Sequence, residues 1–405
     1  QRPAMAHFWR AHGRLILGQE ALFAGAYLLF VGVRLLNPDL WHPWNGGEKF
    51  MESAFLNATL RSPVFPPYDP YFAGGTINYY YYGLYLVGLP IRLSGIATEV
   101  AFNLAVPALF AMTAVGAFST AYSLAWWGGA GRRSVRPAVV GGLAVLLVLC
   151  IGNLTGLEWA LAATADVLSG VGVQPFDYWA ASRVIPYTIN EFPLWTFTFA
   201  DLHPHLISMP FGLAVLGLAS AWFARPPERV VLRLALLAAL ALALGAIGAI
   251  NTWDLPTYAV VVLGAFLLAA WRAAGSVGDR VKGLILAACI AGAVILAAVA
   301  AYAPFYANYQ AQVGDNGAGG LARYLAWVRD GSELRSWLLV WGLFLFLAIS
   351  FGFVEWLVRR VSAEARGPAH GRPGRAWLIG ALGLVALAVL LAALGRPTVA
   401  LAVLP

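Results

Sequence analysis

The chain has 405 residues, 60% of them hydrophobic and only 11% charged, with a net charge of +7 at neutral pH. A water-soluble surface carries roughly a quarter of its residues charged, so this composition excludes a soluble globule and points to a polytopic membrane protein. The positive balance gives no case for nucleic acid, because the arginines fall in short loops between apolar runs, where positive-inside topology accounts for them.

Apolar runs long enough to cross a bilayer, about 20 residues each, occur at 15–36, 100–127, 137–156, 205–224, 231–250, 256–271, 283–304, 337–358 and 376–395. The expected fold class is all-α: a polytopic helical membrane protein with about nine transmembrane helices plus juxtamembrane or re-entrant helices, forming one integral membrane domain over 1–405. Glu20, inside the first run, is expected to pair with a neighbouring helix. Cys150 and Cys289 lie within apolar runs and read as small core residues.

After the first run comes 38–78, too polar and too broken by Pro and Gly to enter lipid, yet too aromatic to be disordered. It reads as a folded cap over a site, carrying Glu48, Lys49, Glu52 and Asp69. The next run, 79–93, opens with Tyr79, Tyr80, Tyr81 and Tyr82 and contains Pro90 and Arg92. If it does not cross, most Lys and Arg fall on the side of the N-terminus, so the positive-inside rule makes it a re-entrant or interfacial helix. The loops 38–78, 157–204 and 305–336 and the turn 251–256 then share the outer side with most of the acids. The third loop ends in a pattern suited to an interfacial amphipathic helix, and 359–375 is a cytoplasmic Gly/Pro/Arg linker.

Three groups of residues have the makings of chemistry. On a helix beginning at Glu48, Glu48 and Glu52 stand one turn apart on one face, as a general base or metal ligands would; the plainer alternative is a solvated helix face. In an extended 201–205, Asp201, His203 and His205 point the same way, which suits a divalent cation or a phosphate; the alternative is that the histidines cap the next helix. Asn251 and Asp254 interrupt two apolar runs, where polar residues are costly and usually functional, although Asp254 is also placed to cap a helix opened by Pro256. The tyrosine run exceeds what an interfacial aromatic belt requires and suits a sugar or an isoprenoid.

The segments GGEKFMESAFLNA, PPYDPYFAGGTINYYYYG and FADLHPH together resemble the YYY-motif (Chlor_Arch_YYY-type) membrane proteins, which are grouped with the GT-C glycosyltransferase superfamily. The resemblance covers the N-terminal two thirds. It implies a GT-C-like fold and transfer of a sugar from a polyprenyl-phosphate donor to an acceptor at the outer face of the cytoplasmic membrane, with the N-terminus cytoplasmic. It makes Glu48 or Glu52 the first-loop base, adds Asp69 from the same loop, and sets Asp201 where second-loop acids occur. Apart from the resemblance, Lys49, the four tyrosines, Arg183, Glu191, Asn251 and Asp254 are candidate substrate-binding residues. Many GT-C members carry Asp-Glu and Asp-x-Asp where this chain has Glu-x-x-x-Glu and Asp-x-His-x-His. A divalent cation, Mg or Mn, held by Asp201, His203 and His205, is therefore an expectation that this departure leaves open. The implied partners are the lipid-linked donor, membrane lipid and other membrane proteins. The rival readings are a non-catalytic membrane subunit or scaffold that keeps the fold, and a secondary transporter, which would carry its ionisable groups mid-span.

Overall fold

The computed structural model describes residues 2–42, 47–128, 136–310 and 331–365. Its helices in chain order are α1 (Arg2–Leu36), α2 (Lys49–Arg61), α3 (Tyr81–Ser94), α4 (Thr98–Trp127), α5 (Pro137–Leu149), α6 (Thr155–Leu168), α7 (Pro193–Phe199), α8 (Pro204–Ala224), α9 (Val230–Ile250), α10 (Asp254–Ala273), α11 (Val277–Ala301), α12 (Ala303–Tyr306) and α13 (Leu334–Ala365). Among the described residues seven helices, α1, α4, α8 to α11 and α13, are long and apolar enough to cross a membrane. The chain is thus an all-α polytopic membrane protein.

Two of the nine expected spans stand differently. The run 137–156 forms only the 13-residue α5, because Gly152 and Asn153 follow: Gly152 lies against the Phe192 ring, and Asn153 Oδ1 accepts the Thr155 amide at 3.2 Å to start α6. The run 376–395 lies outside the described residues, as does most of the amphipathic stretch expected before α13. The linker expected from 359 begins inside α13, which continues to Ala365.

Contacts divide the chain into two compact units, Gln1–Ile151 with Thr196–Gln312, and Gly152–Trp195 with Val313–Pro405. In the first, the end of α1 meets the start of α4, where Arg34 Nη2 donates to Asn103 Oδ1 at 2.7 Å. The chain therefore leaves α1 and enters α4 at one end of the bundle. Between them α3, 14 residues and roughly 21 Å long, is shorter than the roughly 30 Å hydrocarbon core. It stops at Gly95, whose left-handed φ of 68° lets its amide close on the Ile91 carbonyl at 2.9 Å.

Between helices in lipid there is little hydrophobic driving force, so close packing must hold them. At the loop end Phe30, Phe110 and Phe197 from α1, α4 and α7 interlock, with ring centroids 4.5 Å (30–110) and 5.1 Å (110–197) apart. Deeper in the bundle of α8 to α11, Trp222 stacks on Phe266 at 4.3 Å. Near the C-terminal ends of α9 and α11 the two helices approach so closely that a Cβ on Gly245 would sit 2.4 Å from the Ala298 carbonyl oxygen. A second polar link from α1 into the bundle is Gln19 Nε2 to Ser119 Oγ, 2.9 Å; Glu20, expected to make such a contact, is exposed. Both cysteines are free and exposed rather than in the core.

In the second unit the amide of Leu154, which precedes α6, donates to the Leu339 carbonyl of α13 at 2.7 Å, and Glu158 pairs with Arg335. Tyr178 and Trp195 stack at 5.2 Å and exchange hydrogen bonds through each other's carbonyls.

Candidate functional site

The site lies in the first unit, where the start of α2 meets the chain leaving α7. Gly47 makes the approach possible. It adopts φ 59°, and a Cβ there would lie 2.5 Å from the Phe199 ring and 2.9 Å from Asp201 Oδ2. The Glu48 amide points at Asp201 Oδ2, 3.4 Å away, and the next turn closes with Glu52 N on Glu48 O at 2.9 Å. Glu48 and Glu52 thus share one face, and one turn further on Phe55, Leu56 and Ala58 are buried.

On the opposing segment Ala200 is held at φ 64°, a conformation costing a non-glycine residue roughly 1–2 kcal/mol. That turn directs Asp201 toward α2. His203 is extended (φ −67°, ψ 147°) because Pro204 follows it and opens α8. The Leu202 amide donates to Glu52 Oε2 at 2.6 Å. His203 Nδ1 then stands 3.3 Å from Glu48 Oε2 and 3.4 Å from Glu52 Oε1. Beside this group Lys49 Nζ pairs with Asp201 Oδ1 at 3.0 Å and sits 4.3 Å above the Phe199 ring.

Three carboxylates therefore gather with an ammonium and an imidazole. Glu52 is 1% exposed. Burial, assisted by the Asp201 charge and opposed by His203 and the Leu202 amide, pushes its carboxyl up to about 7. Burial likewise raises Asp201 in spite of Lys49. For His203 burial acts downward, but the contacts with Glu52, then Glu48 and Asp201, outweigh it and raise the imidazole. Glu52 Oε1 is buried and no hydrogen bond is directed at it among the described residues. Glu52, Glu48 and His203 each offer one ligand atom, all within 4.8 Å of one another.

The other expected residues are distributed around this centre. Tyr79 faces it: burial and then the charges of Glu48 and Glu52 raise its phenol, which stays protonated and able to donate. Tyr80 hydrogen-bonds with Tyr309 and Trp253. Tyr81 packs on Phe305 at 5.4 Å and Tyr82 on Tyr302 at 5.1 Å, so both build the wall. Asn78 and Gln310 exchange two hydrogen bonds, fastening the segment after α12 to the tyrosine run. Asp254 Oδ2 accepts Ser208 Oγ at 2.6 Å, tying α10 to α8, and Asn251 is buried at the end of α9.

Two expected placements differ. Asp69 does not join the acid group: its Oδ1 accepts the Tyr71 amide at 2.8 Å and shapes a turn in its own loop. Asp201, His203 and His205 do not form the three-residue group; Lys49 takes Asp201, and Glu48 and Glu52 complete the set with His203. His205 sits in the first turn of α8, its ring centroid 4.7 Å from that of His203 and its Nε2 3.4 Å from Thr196 Oγ1, so it stands beside the group without offering it a ligand atom. Arg183 and Glu191 pair with each other at 3.6 Å in the second unit, with the Arg183 guanidinium over Trp179. Sequence reasoning missed the Lys49–Asp201 pair, although a lysine between two glutamates on an otherwise largely apolar helix was a signal for it.

The profile of a family described as Uncharacterized membrane protein (DUF2298) matches residues 3–405. No curated protein and no solved structure matches the chain.

Proposed function

This chain belongs to the membrane-protein family DUF2298, and we propose that it is a glycosyltransferase acting on a polyprenyl-phosphate-linked sugar, with its catalytic centre at Glu48, Lys49, Glu52, Asp201 and His203. The observation that carries the reading is Glu52: a buried carboxyl poised near pH 7, 3.4 Å from an imidazole, at the loop end of a membrane bundle. A general base works best with a pKa near the operating pH. The substrate class comes from the resemblance to the YYY-motif and GT-C proteins.

In the proposed reaction Glu52 takes the proton of an acceptor hydroxyl, whose oxygen forms a bond to the anomeric carbon as the bond from that carbon to phosphate oxygen breaks. Polyprenyl phosphate leaves and the anomeric configuration inverts. Lys49 pairs with Asp201 and holds it in place, and His203 steadies the charge on Glu52. The Tyr79 hydroxyl donates to a sugar or acceptor oxygen beside the acids. On the positive-inside reading the site end of the bundle faces outward and the N-terminus is cytoplasmic.

A divalent cation is a second reading of the same donors, favoured by the unsatisfied, buried Glu52 Oε1. Two carboxylate oxygens and one imidazole nitrogen suit Mn better than Mg, which prefers an all-oxygen octahedron. Glu48, Glu52 and His203 would hold it, and when bound it supplies charge neutralisation for a leaving phosphate.

The test is transfer by the reconstituted full chain from a panel of polyprenyl-phosphate hexoses, read as released polyprenyl phosphate with and without chelator. Turnover abolished by Glu52→Gln supports the base, and turnover lost to chelator and in Glu48→Gln supports the cation. Absence of turnover with every donor, in folded protein, favours the scaffold.

A further inference from the structure

Arg34, in the last turn of α1, is 6% exposed. Its Nε and Nη2 both donate to Asn103 Oδ1, at 3.0 and 2.7 Å. No carboxylate lies within ion-pair distance of it among the described residues. Asn103 is neutral, and its Nδ2 is committed to the carbonyls of Pro38 and Glu99. Asp201 acts on Arg34 through space but already carries Lys49 at 3.0 Å. A buried cation without a counter-charge is costly, and near a membrane such a residue marks a ligand.

Arg34 and its partner Asn103 both line a groove of about 480 Å³ between the end of α1 and the start of α4. Its walls are Val31, Leu35 and Leu104, and two acids, Asp39 and Glu99, also line it. Leu35 is 74% exposed and Val100 beside it 50%, as side chains facing lipid would be. The groove therefore combines a buried cation, exposed acids (Asp39 and Glu99) and apolar walls open to lipid, at the end of a span where headgroups lie.

We propose that this groove is a headgroup site for a zwitterionic aminophospholipid, its phosphate on Arg34, its ammonium beside Asp39 and Glu99, and an acyl chain along Val31, Leu35 and Leu104. A lipid of net negative charge would satisfy Arg34 but meet the two acids unpaired, so the pairing of one cation with two acids selects the zwitterion. The site does not rest on the glycosyltransferase reading, since it shares no residue with the proposed catalytic centre.

The test is native mass spectrometry of the full chain in detergent, titrated separately with phosphatidylethanolamine, phosphatidylglycerol and polyprenyl phosphate. Phosphatidylethanolamine is expected to bind at least about tenfold more tightly than either of the others, equivalent to about 1.4 kcal/mol. Arg34→Gln should weaken it about tenfold, and Asp39→Asn with Glu99→Gln should erase the preference over phosphatidylglycerol. Because Arg34→Gln also removes the link to Asn103, Val100→Trp is the second variant: it fills the groove mouth without touching Arg34 and should lower binding at unchanged thermal midpoint. Equal or tighter binding of phosphatidylglycerol or polyprenyl phosphate would overturn the proposal. So would undiminished phosphatidylethanolamine binding in folded Arg34→Gln or Val100→Trp.

Discussion

Lys49 and Asp201 form an ion pair at 3.0 Å with side chains only 5% and 7% exposed, joining the first turn of α2 to the segment that enters α8. Breaking such a pair from one side strands a buried charge and costs about 3–5 kcal/mol, whereas removing both charges costs far less. Lys49→Met is therefore expected to lower unfolding stability in detergent by about 3 kcal/mol or more, and Lys49→Met with Asp201→Asn to recover most of it. A double variant no more stable than Lys49→Met would mean that the pair does not hold the loop.

Stability should fall as pH rises, the reverse of ordinary acid denaturation. Glu52 is raised from 4.5 to about 7 in the folded chain, so between those values the folded state keeps a proton that the unfolded state has lost. The stability it contributes is full below 4.5 and gone above about 7, of order 3 kcal/mol for a fully buried group. His203 has the same sign, its contribution complete below 6.5 and lost as pH passes its raised folded value. Asp201 adds in the same direction from 3.8 upward. Unfolding midpoints measured from pH 5 to 8 should decline across the window, and Glu52→Gln should flatten the curve. The rate of the proposed reaction, which needs Glu52 ionised, should rise through about pH 7.

The four tyrosines should separate into two kinds. Tyr79→Phe removes the phenol beside Glu48 and Glu52 and should lower transfer by about tenfold with little change in stability. Tyr81→Phe keeps the ring against Phe305 and should leave transfer within about twofold. Equal losses in the two variants would deny Tyr79 a place in the site.

Much of this arrangement was legible in the sequence. A Glu-x-x-x-Glu at the start of a helix must share a face, and a Pro after His203 must keep that residue extended, which is how the structure has them. The Asp-x-His-x-His spacing foretold the contact between the His203 and His205 rings, 4.7 Å apart, but not the ligand set, because alternation requires a strand to continue through His205. Pro204 instead begins α8, and the left-handed turn at Ala200 re-aims Asp201 toward Lys49. Asp69 misled because short-range turn chemistry, its bond to the Tyr71 amide, is indistinguishable in sequence from an acid held in reserve. The apolar length of 137–156 concealed Gly152 and Asn153, which end α5 through contacts within the second unit.

The two ends of the bundle can be told apart chemically. Gly275, exposed just before α11, lies at the end away from the site, since α11 runs from there toward Tyr302 and the tyrosine run. Gly275→Cys, in a chain with Cys150 and Cys289 replaced by Ala, is expected to resist an impermeant thiol reagent in intact cells and react after lysis. Labelling in intact cells would put the site on the cytoplasmic face.

The most direct test of the central claim is Glu52→Gln, assayed together with its unfolding midpoint at pH 7.5. The substitution keeps the shape of the side chain while removing the buried charge, so the variant should be at least as stable as the parent. Its sugar transfer from a polyprenyl-phosphate donor should fall by about a thousandfold, within the range for loss of a general base. A Glu52→Gln protein that transfers sugar at the parental rate, or loses activity only in step with lost folding, would contradict the assignment of Glu52 as the catalytic base.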